Sequence, residues 1–505
     1  MNIRAGFFIA CLFSLGVQAQ QQGETLEKGN VRYHVSNTGV LFQNQGAPSF
    51  EIPKGSGAHT ILSSGLWIGA KDSSGGIRVS IATYDSSGKD FQPGPLDLGN
   101  AVPDDPSFWN YTWHVDSGEV ATHMSAYNNN GYSAPWSIAN WPGSNKRPGN
   151  YNQVLAPFID LDNDFIYEPE LGEVPFFKGT EAAYVLFNDK PAFRSNSGSE
   201  ALGIEVYCLV YTDANLPNVV FVKYRLVNRS FRQYDSLFMG IFTDFMLGNP
   251  EDNFTSTDSL RNTYFCYNGL PYDTGFYKDQ PPVMGVKFLN TKLSKTIGFN
   301  YDENSPQGWP QFPEHYFSYL SGRWKDDTEL MDPTSSQTSY LYQGDPCNGS
   351  GWTEYGSSGV VAGRRNMLGS TGPYTLKHGE SIKLEIAYIF TQSQSDIFAN
   401  ICDFYGQADA VQNYWQGNLS GIIAPEKPLP IRAYPNPSSG ILHWNFEEGT
   451  IIQKQEWIDL KGRTHTLEPE LREMDTRSMT AGIYFLKAID ELGNVYTTKV
   501  LVHHP

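Results

Sequence analysis

The chain has 505 residues and a formal net charge of −18, with 18% charged and 14% aromatic side chains. This length predicts more than one compact unit, and the many aromatic and turn-forming residues favour β-sheets over helical bundles. No run of Lys or Arg interrupts the acidity, which argues against nucleic acid as a partner.

The first 19 residues have the three parts of a secretory signal peptide. Arg4 provides the positive start, residues 6–17 form the apolar run, and residues 17–19 form a small-residue cleavage site. We expect cleavage between Ala19 and Gln20. The apolar run is too short to span a membrane, and no later stretch has the required length, so no membrane span is predicted.

Cysteine use is typical of an exported protein with few crosslinks. Removal of the signal peptide leaves Cys208, Cys266, Cys347 and Cys402 in an oxidising compartment, where three pairings are open. No CxxC or Cys/His spacing indicates zinc. Cys208 lies in an apolar strand-like run and is a candidate for a buried free thiol.

Residues 20–150 form the first predicted region, a β-rich one in which short strand-like runs alternate with polar turns. Exposed indole rings stack on the apolar faces of sugars, so the tryptophans of this region are a candidate carbohydrate platform. The alternative is that they belong to the core, where tryptophan is usually found. These tryptophans are Trp67, Trp109, Trp113, Trp136 and Trp141.

Residues 151–420 form the second predicted region, which has the strongest strand signal. Residues 218–228 and 236–244 flank a short polar turn and predict a hairpin, and residues 372–379 and 381–390 predict a second one. Strands paired in this way late in a β-rich unit predict a β-sandwich.

One helix is predicted late in this region, near residues 395–416. Ser395 is its candidate N-cap, and Gly417 lies beyond its predicted end. Its predicted apolar face consists of Ile397, Ile401, Phe404, Tyr405, Ala408 and Val411. We expect this face to cover an edge or a face of a sheet. Residues 421–430 follow as a linker, because their prolines resist folding into either neighbour.

The last region, residues 431–505, carries three motifs in a fixed order. They are the opening Tyr434-Pro435-Asn436-Pro437-Ser438-Ser439-Gly440, a turn at 459–463, and Ala481-Gly482-Ile483-Tyr484 followed by a final strand. This ordered set resembles the type A C-terminal sorting domain of the type IX secretion system. Apolar alternation independently predicts a small Ig-like β-sandwich. Its predicted inward-facing residues are Ile441, Leu442, Trp444, Ile458, Ile483, Phe485, Val500 and Val502.

The resemblance implies that this tail docks on the type IX outer-membrane secretion machinery and is then removed. The rest of the mature chain, which we call the passenger, would be released or attached to surface lipopolysaccharide. The expected location is therefore the cell surface or the medium, reached through the periplasm. Passenger segments such as 50–55 and 66–69 resemble a large group of uncharacterised exported proteins of the same bacteria, which implies no established activity.

An acidic segment of the passenger is the best candidate for a metal site, with calcium as the candidate cofactor and no other indicated. Alternate acidic residues gather hard oxygen ligands around one turn. The candidate ligands are Asp160, Asp162, Asp164, the carbonyl of Ile166, and Glu168, Glu170 or Glu173. However, Phe165 stands where an EF-hand loop has glycine, and Leu171 where it has glutamate. The alternative is a solvated acidic turn.

A second acidic group, at Asp244, Glu251, Asp252 and Asp258, is a weaker candidate for binding an ion because its spacing matches no known loop. A polar loop without an ion is the alternative.

Evidence for catalysis is sparse. The sequence has no GxSxG, HExxH or phosphate-binding glycine loop, so no catalytic residue is assigned. Asp189 and Glu205 are candidate carboxylates for glycoside hydrolysis, against the alternative that they are structural. We therefore expect a binding or structural passenger, with glycans as a candidate ligand. A secreted glycan-active hydrolase is the main alternative, and a purely structural coat protein is another.

Overall fold

The computed structural model describes residues 23–503 apart from 73, 86–88, 104, 145–150, 152–153, 163, 393–395, 421–430, 447–451, 460–462 and 491–494. The predicted cleavage site at Ala19 and Gln20, the predicted cap Ser395 and the linker at 421–430 lie outside the described residues. Among the described helices, none is both long enough and apolar enough to cross a membrane.

The passenger consists mainly of β-strands. The first eleven, in chain order, are β1 Gly23–Leu26, β2 Tyr33–Ser36, β3 Val40–Leu41, β4 Gln43–Asn44, β5 Ala47–Pro48, β6 Phe50–Glu51, β7 His59–Lys71, β8 Ile77–Ile81, β9 Gln92–Pro93, β10 Trp113–Asp116 and β11 Phe158–Ile159. The next eleven are β12 Val174–Pro175, β13 Glu181–Asn188, β14 Ile204–Thr212, β15 Val219–Asn228, β16 Tyr234–Phe245, β17 Asn253–Asp258, β18 Thr263–Asn268, β19 Val283–Phe288, β20 Lys295–Phe299, β21 Arg365–Leu376 and β22 Ser381–Thr391.

Eighteen of these strands form two large antiparallel sheets of nine strands each, while β4 with β5 and β11 with β12 form separate two-stranded sheets. The first sheet has the order β1-β2-β3-β7-β16-β21-β20, with β6 and β8 also paired to β7. The second sheet has the order β10-β13-β14-β15-β22-β19-β18-β17, with β9 paired to β13. Each sheet contains strands from both sides of residue 150, so residues 20–150 and 151–420 contribute to the same two sheets.

The two sheets share a hydrophobic core, which makes the passenger a β-sandwich as predicted. The core forms because apolar side chains at alternate positions of each strand point toward the opposite sheet. Burying one such side chain stabilises the fold by about 1.5–3 kcal/mol. Fully buried examples are Leu66, Ile68 and Ile241 of the first sheet and Val206, Val210, Leu226, Leu384 and Ile386 of the second.

Both predicted hairpins are wrong, although their strands exist. β15 pairs with β14 and β22 in the second sheet, whereas β16 pairs with β7 and β21 in the first. Residues 229–233 and 377–380 therefore cross from one sheet to the other. The two crossings are joined, because Asn228 N–H donates to Glu380 at 3.0 Å and Gly379 N–H donates to Asn228 at 2.7 Å. A short polar turn is compatible with either path, so local pattern alone did not distinguish them.

Four α-helices accompany the sheets among the described residues: α1 Ser117–Ala126, α2 Trp136–Ala139, α3 Pro313–Leu320 and α4 Ile397–Ser420. α3 packs on the outer face of the first sheet, where Leu320 and Tyr316 share an apolar cluster with Trp67 and Phe242. α4 packs on the outer face of the second sheet.

The predicted late helix is confirmed as α4, with different ends. Asp396 acts as its N-cap, since its carboxylate accepts the N–H groups of Phe398 and Ala399, both at 2.8 Å. The helix continues through Gly417, so the predicted end there is wrong. Nothing lies within 4 Å of a Cβ built on this glycine. An exposed glycine inside a helix costs only about 1 kcal/mol, too little to end a helix held by packing. All six residues of the predicted apolar face are buried.

One disulfide joins Cys347 to Cys402 of α4, with Cα atoms 5.2 Å apart. Cys208 and Cys266 are buried free thiols, as expected for Cys208. The crosslink is consistent with the oxidising compartment inferred from the sequence.

The tail is a smaller β-sandwich, as predicted. Its strands are β23 Arg432–Tyr434, β24 Ile441–Asn445, β25 Ile452–Asp459, β26 Thr464–Leu467, β27 Glu473–Asp475, β28 Gly482–Asp490 and β29 Val495–Val502. They form the sheets β23-β24-β27 and β26-β25-β28-β29, which share one apolar cluster. β25 and β26 pair across the predicted turn at 459–463.

Four of the eight predicted inward-facing tail residues are buried: Leu442, Trp444, Val500 and Val502. Ile441 is 48% exposed, and Ile458, Ile483 and Phe485 are only half-buried. Their strands instead turn Trp457 and Leu486 fully inward. The prediction failed there because both faces of β25 and β28 carry large apolar side chains, so alternation did not identify the inner face.

Candidate metal site and sorting motif

The acidic segment is a loop whose two ends are held together. Residues 160–173 connect β11 to β12, which pair with each other as a short antiparallel ladder. The β-ladder brings the first and last carboxylates of the loop to the same place. Sequence spacing alone therefore underestimates how close Glu173 lies to Asp160.

Two overlapping sets of carboxylates have oxygen atoms within 4.8 Å of one another. One set is Asp160, Asp162 and Glu173, and the other is Asp162, Asp164 and Glu168. Asp162 belongs to both sets. A calcium ion takes six to eight oxygen ligands at about 2.3–2.6 Å, so these spacings suit several carboxylates around one ion. The structure thus brings together four of the five predicted ligand residues and adds Glu173, one of the predicted alternatives.

The loop carboxylates also organise its backbone. Asp160 accepts the N–H of Phe165 at 3.1 Å, and Asp164 accepts the N–H of Ile166 at 2.7 Å. Glu173 bridges the loop by accepting the N–H groups of residues 161 and 168 at 2.7 and 2.9 Å. Carboxylate oxygens have further lone pairs, so these bonds leave room for coordination of a cation.

The backbone of the loop accommodates both positions at which its sequence departs from an EF-hand, Phe165 and Leu171. Phe165 has φ 66°, the left-handed conformation that an EF-hand loop assigns to glycine at this position. Leu171 is exposed and belongs to a 3-10 turn, Pro169–Leu171, which ends at Gly172 with φ 90°. This turn delivers Glu173 to the place of the missing terminal glutamate. The sequence signal for Glu173 was only that an acidic residue followed the turn.

The closely spaced carboxylates of the acidic loop repel one another electrostatically. Glu173 is almost fully buried, and burial raises the pKa of its carboxyl above the ordinary value. The nearby charges of Asp160 and Asp162 raise this pKa further. A bound divalent cation would neutralise the crowded charges, which is the physical reason to consider calcium here.

The loop is anchored next to a cavity lined by aromatic residues. Tyr167 is buried, and its hydroxyl donates to Ile138 at 2.7 Å while its N–H donates to Ser144 at 2.8 Å. With Trp109, Trp113 and other residues, Tyr167 lines a cavity of about 280 Å³. The order of the acidic loop therefore bears directly on one wall of this cavity.

The tryptophans do not form an exposed platform. Trp67, Trp109, Trp113 and Trp141 are buried, in agreement with the core alternative. Trp136 is 49% exposed and packs against Tyr111, with ring centroids 4.8 Å apart.

The two candidate catalytic carboxylates are buried and hydrogen-bonded to the protein. Asp189 accepts three backbone N–H groups, from residues 202–204, and the hydroxyl of Ser80. Glu205 is paired with Arg229 at 2.9 Å and also accepts the hydroxyl of Tyr207. Neither side chain is exposed. This environment supports the structural alternative for both residues.

The second acidic group is dispersed. Asp244 is buried beneath Tyr84 and Tyr301 and pairs with Arg364 at 2.6 Å. Asp258 pairs instead with Arg261 at 2.8 Å. The partners of Asp244 are distant from it in sequence, so no local pattern indicated them, whereas Arg261 lies only three residues after Asp258.

The opening motif of the tail is attached to its last strand. Asn436 donates to the carbonyl of Lys499 at 2.7 Å and accepts the N–H of Leu501 at 2.9 Å. The next residues continue the contact, since Ser438 N–H donates to Leu501 at 2.7 Å and His503 N–H donates to Ser438 at 2.9 Å. The first and last motifs are therefore parts of one structural unit.

The remaining motif residues have defined places in this unit. The peptide bonds preceding Pro435 and Pro437 are cis. Tyr434 stacks on His443 with ring centroids 5.8 Å apart, and the carbonyl of Gly440 accepts the N–H of Thr476 at 2.8 Å.

The final motif opens β28. Gly482 is its first residue, and Tyr484 stacks on Trp457 at 5.3 Å while its hydroxyl donates to Thr480 at 2.8 Å.

Comparison with known proteins gives a specific match for the tail but not for the passenger. No curated protein matches the sequence. Among solved structures, the chain has a likeness to a polysaccharide lyase, with 8% identity and a TM-score of 0.20, covering 59% of this chain and 34% of the lyase. The chain thus spans about a third of the lyase. A structure described as an aldose 1-epimerase from Escherichia coli K12 has 10% identity and a TM-score of 0.26, covering 74% of this chain and 99% of its own. At such scores neither likeness bears on function.

The tail gives a specific result. Residues 432–503 match the family model of the secretion system C-terminal sorting domain. This match includes the opening motif, the turn at 459–463 and both terminal strands. The chain is therefore a secreted or cell-surface protein that carries a type IX secretion C-terminal sorting domain at residues 432–503.

Proposed function

We propose that the passenger is a binding or structural module displayed on the cell surface or released into the medium, with calcium bound in the acidic loop. The observation that carries the export part of this proposal is the sorting domain at residues 432–503. The signal peptide first delivers the chain to the periplasm, and the tail then engages the type IX outer-membrane machinery. Removal of the tail leaves the passenger free or attached to surface lipopolysaccharide.

Intact-mass analysis of protein recovered from the cell surface and the medium tests this processing. The expected mature chain begins at Gln20 and lacks the tail. A chain that still contains residues 432–505, or one that retains residues 1–19, contradicts the corresponding half of the proposal. A lipopolysaccharide-attached form would be recovered with added mass in the membrane fraction.

The binding role is supported by the aromatic cavity beside the acidic loop, and the candidate ligand is a glycan. Aromatic walls with a few polar groups are typical of sites that recognise small polar ring compounds. A glycan array with the mature chain, with and without calcium, tests this role. Binding without turnover of the bound polysaccharide supports a binding module. Turnover would favour the hydrolase alternative, and no binding together with high surface abundance would favour a coat protein.

The calcium part is supported by the overlapping carboxylate sets and by the left-handed Phe165. Calcium at about 100 times its dissociation constant should stabilise the fold by about 2.7 kcal/mol, visible as a higher melting temperature. Extracellular sites are often only millimolar, so the titration must reach that range. The double variant Asp162→Asn with Asp164→Asn should lose the part of this shift that the acidic loop contributes, because each asparagine keeps the shape but removes a charge.

Glu170→Gln provides the matched control, since Glu170 is an exposed acid of the same loop that belongs to neither carboxylate set. It should retain the calcium-dependent shift. Equal shifts in the wild type and the double variant would contradict calcium binding in the loop. An unchanged melting curve of the wild type between chelator and millimolar calcium would support the solvated-turn alternative.

A further inference from the structure

Asp252 is a buried carboxylate whose hydrogen-bonding requirements the described residues leave unmet. It ends the 3-10 turn Pro250–Asp252, directly before β17, and is 5% exposed. Both of its side-chain oxygens are buried, and neither has a hydrogen-bond partner among the described residues. Leaving a buried ionised group without a partner costs several kcal/mol, so such a group is rarely retained without a compensating charge.

A second buried carboxylate, Asp273, interacts electrostatically with Asp252. It lies in the loop that follows β18 and accepts the N–H groups of Asn249, Gly275 and Tyr277 at 2.8, 3.0 and 2.7 Å. Within the described ranges its partners are thus backbone groups rather than a Lys or Arg side chain. The charge of Asp273 bears electrostatically on Asp252, so the two carboxylates repel each other.

The two loops approach closely at this point. A Cβ built on Gly248 would lie 2.3 Å from an Asp273 oxygen, so only glycine allows this approach. Across the ladder, Gly269 N–H donates to the carbonyl of Asp252 at 2.6 Å. The preceding residue, Asn268, is 1% exposed, and its buried amide oxygen also has no hydrogen-bond partner in the described part of the chain. Oxygen acceptors without a hydrogen-bond partner among the described residues therefore lie both in the turn before β17 and at the end of β18.

Buried oxygen acceptors that lie together without hydrogen-bond donors suit one kind of ligand. A hydrogen-bonded network pairs donors with acceptors, whereas hard cations such as calcium are bound by carboxylate and amide oxygens. Two carboxylates also carry the charge that neutralises one divalent ion. We propose that Asp252 and Asp273 hold a buried divalent cation, separate from the acidic loop at residues 160–173, that ties the segment 247–252 to the segment 268–277.

Counting bound calcium after equilibrium dialysis tests this second site on the full mature chain. The probe is calcium alone, and four proteins are compared: wild type, Asp252→Asn, Asp162→Asn with Asp164→Asn, and the triple variant. The expected counts are two ions, one, one and none. If the acidic loop fails to bind calcium but the buried site exists, the expected counts become one, none, one and none, so the two proposals fail separately.

Melting temperature provides a second readout that guards against simple misfolding. In chelator, Asp252→Asn should melt at or above the wild-type temperature, because it removes a buried uncompensated charge. In saturating calcium the order should reverse, with the wild type rising by roughly 5 °C more than the variant. Glu251→Gln, an exposed neighbour in the same turn, is the matched control and should behave like the wild type.

Two outcomes would overturn the buried site. One is an ion count that Asp252→Asn leaves unchanged. The other is an Asp252→Asn protein that is more stable than the wild type in both chelator and calcium, since that result would mean that no calcium ion compensates this carboxylate.

Discussion

Removing the disulfide between Cys347 and Cys402 should strongly destabilise the passenger. The bond links α4 to the long connection between α3 and β21, across a sequence separation of 55 residues. Without it, the unfolded chain gains the conformational freedom of that loop. The loop-closure relation gives an entropy of ~14 cal/mol/K for this separation, or ~4 kcal/mol at 25 °C. The variant Cys347→Ser with Cys402→Ser should lose about this amount of stability.

Urea unfolding of the mature protein, followed by tryptophan fluorescence without reductant, measures the loss. Because the m-value grows with protein size and should be at least about 3 kcal/mol per M here, ~4 kcal/mol corresponds to a midpoint lowered by up to about 1.3 M. Reductant should lower the wild-type midpoint by a similar amount and leave that of the double variant unchanged. Alkylation provides the independent check, since denatured wild type should react only at Cys208 and Cys266 until it is reduced. Equal midpoints, or four reactive thiols before reduction, would refute this reasoning.

Three further predictions concern single side chains. Arg229→Met leaves the buried carboxylate of Glu205 unpaired and should cost about 3–5 kcal/mol in urea unfolding, which Glu205→Gln on the same background should partly restore. The hydrogen bond of His114 to Glu181, 2.9 Å long, raises the pKa of the imidazole. The stabilisation of the fold by this hydrogen bond should be complete below about pH 6.5 and should disappear as the pH rises through the folded-state pKa of His114. The variant His114→Gln should remove this pH dependence. Asn436→Ala should lower the melting temperature of the tail, while an unchanged value would contradict its role in holding the last strand.

Alternation of apolar residues correctly located strands but did not identify their partners. The segments that became β15, β16, β21 and β22 were all predicted as strands. Their pairing depends on which edges other strands occupy, and β7 and β14 come from distant parts of the chain. The sequence of a short polar turn does not show which distant strands compete for the same edge. The β-sandwich class was nevertheless predictable, because buried alternating strands require a second apolar layer.

Prediction of the candidate site was limited in the same way. The spacing of Asp160, Asp162 and Asp164 indicated a ligand turn because one local turn determines their geometry. Glu173 joins them only through the pairing of β11 with β12, which sequence spacing does not reveal. Asp252 became notable only through its burial, since the same residue in an exposed turn would be unremarkable.

The tail was predictable in more detail because its motifs are local and ordered. Tyr434 to Gly440 and the closing strands are contiguous segments, and their contacts follow from a small sandwich. Its inner faces were less certain, as Ile483 shows, because a strand with apolar residues on both faces has no unique inward side.

The central claim is that residues 432–503 direct export of the passenger. Its most direct test is fractionation of cells producing either the full chain or a chain ending at residue 431, both with the signal peptide intact. The account predicts that the truncated passenger is folded, protease-resistant and confined to the periplasm, whereas the full chain supplies passenger to the surface or medium. Truncated passenger reaching the surface or medium at the level of the full chain would contradict it.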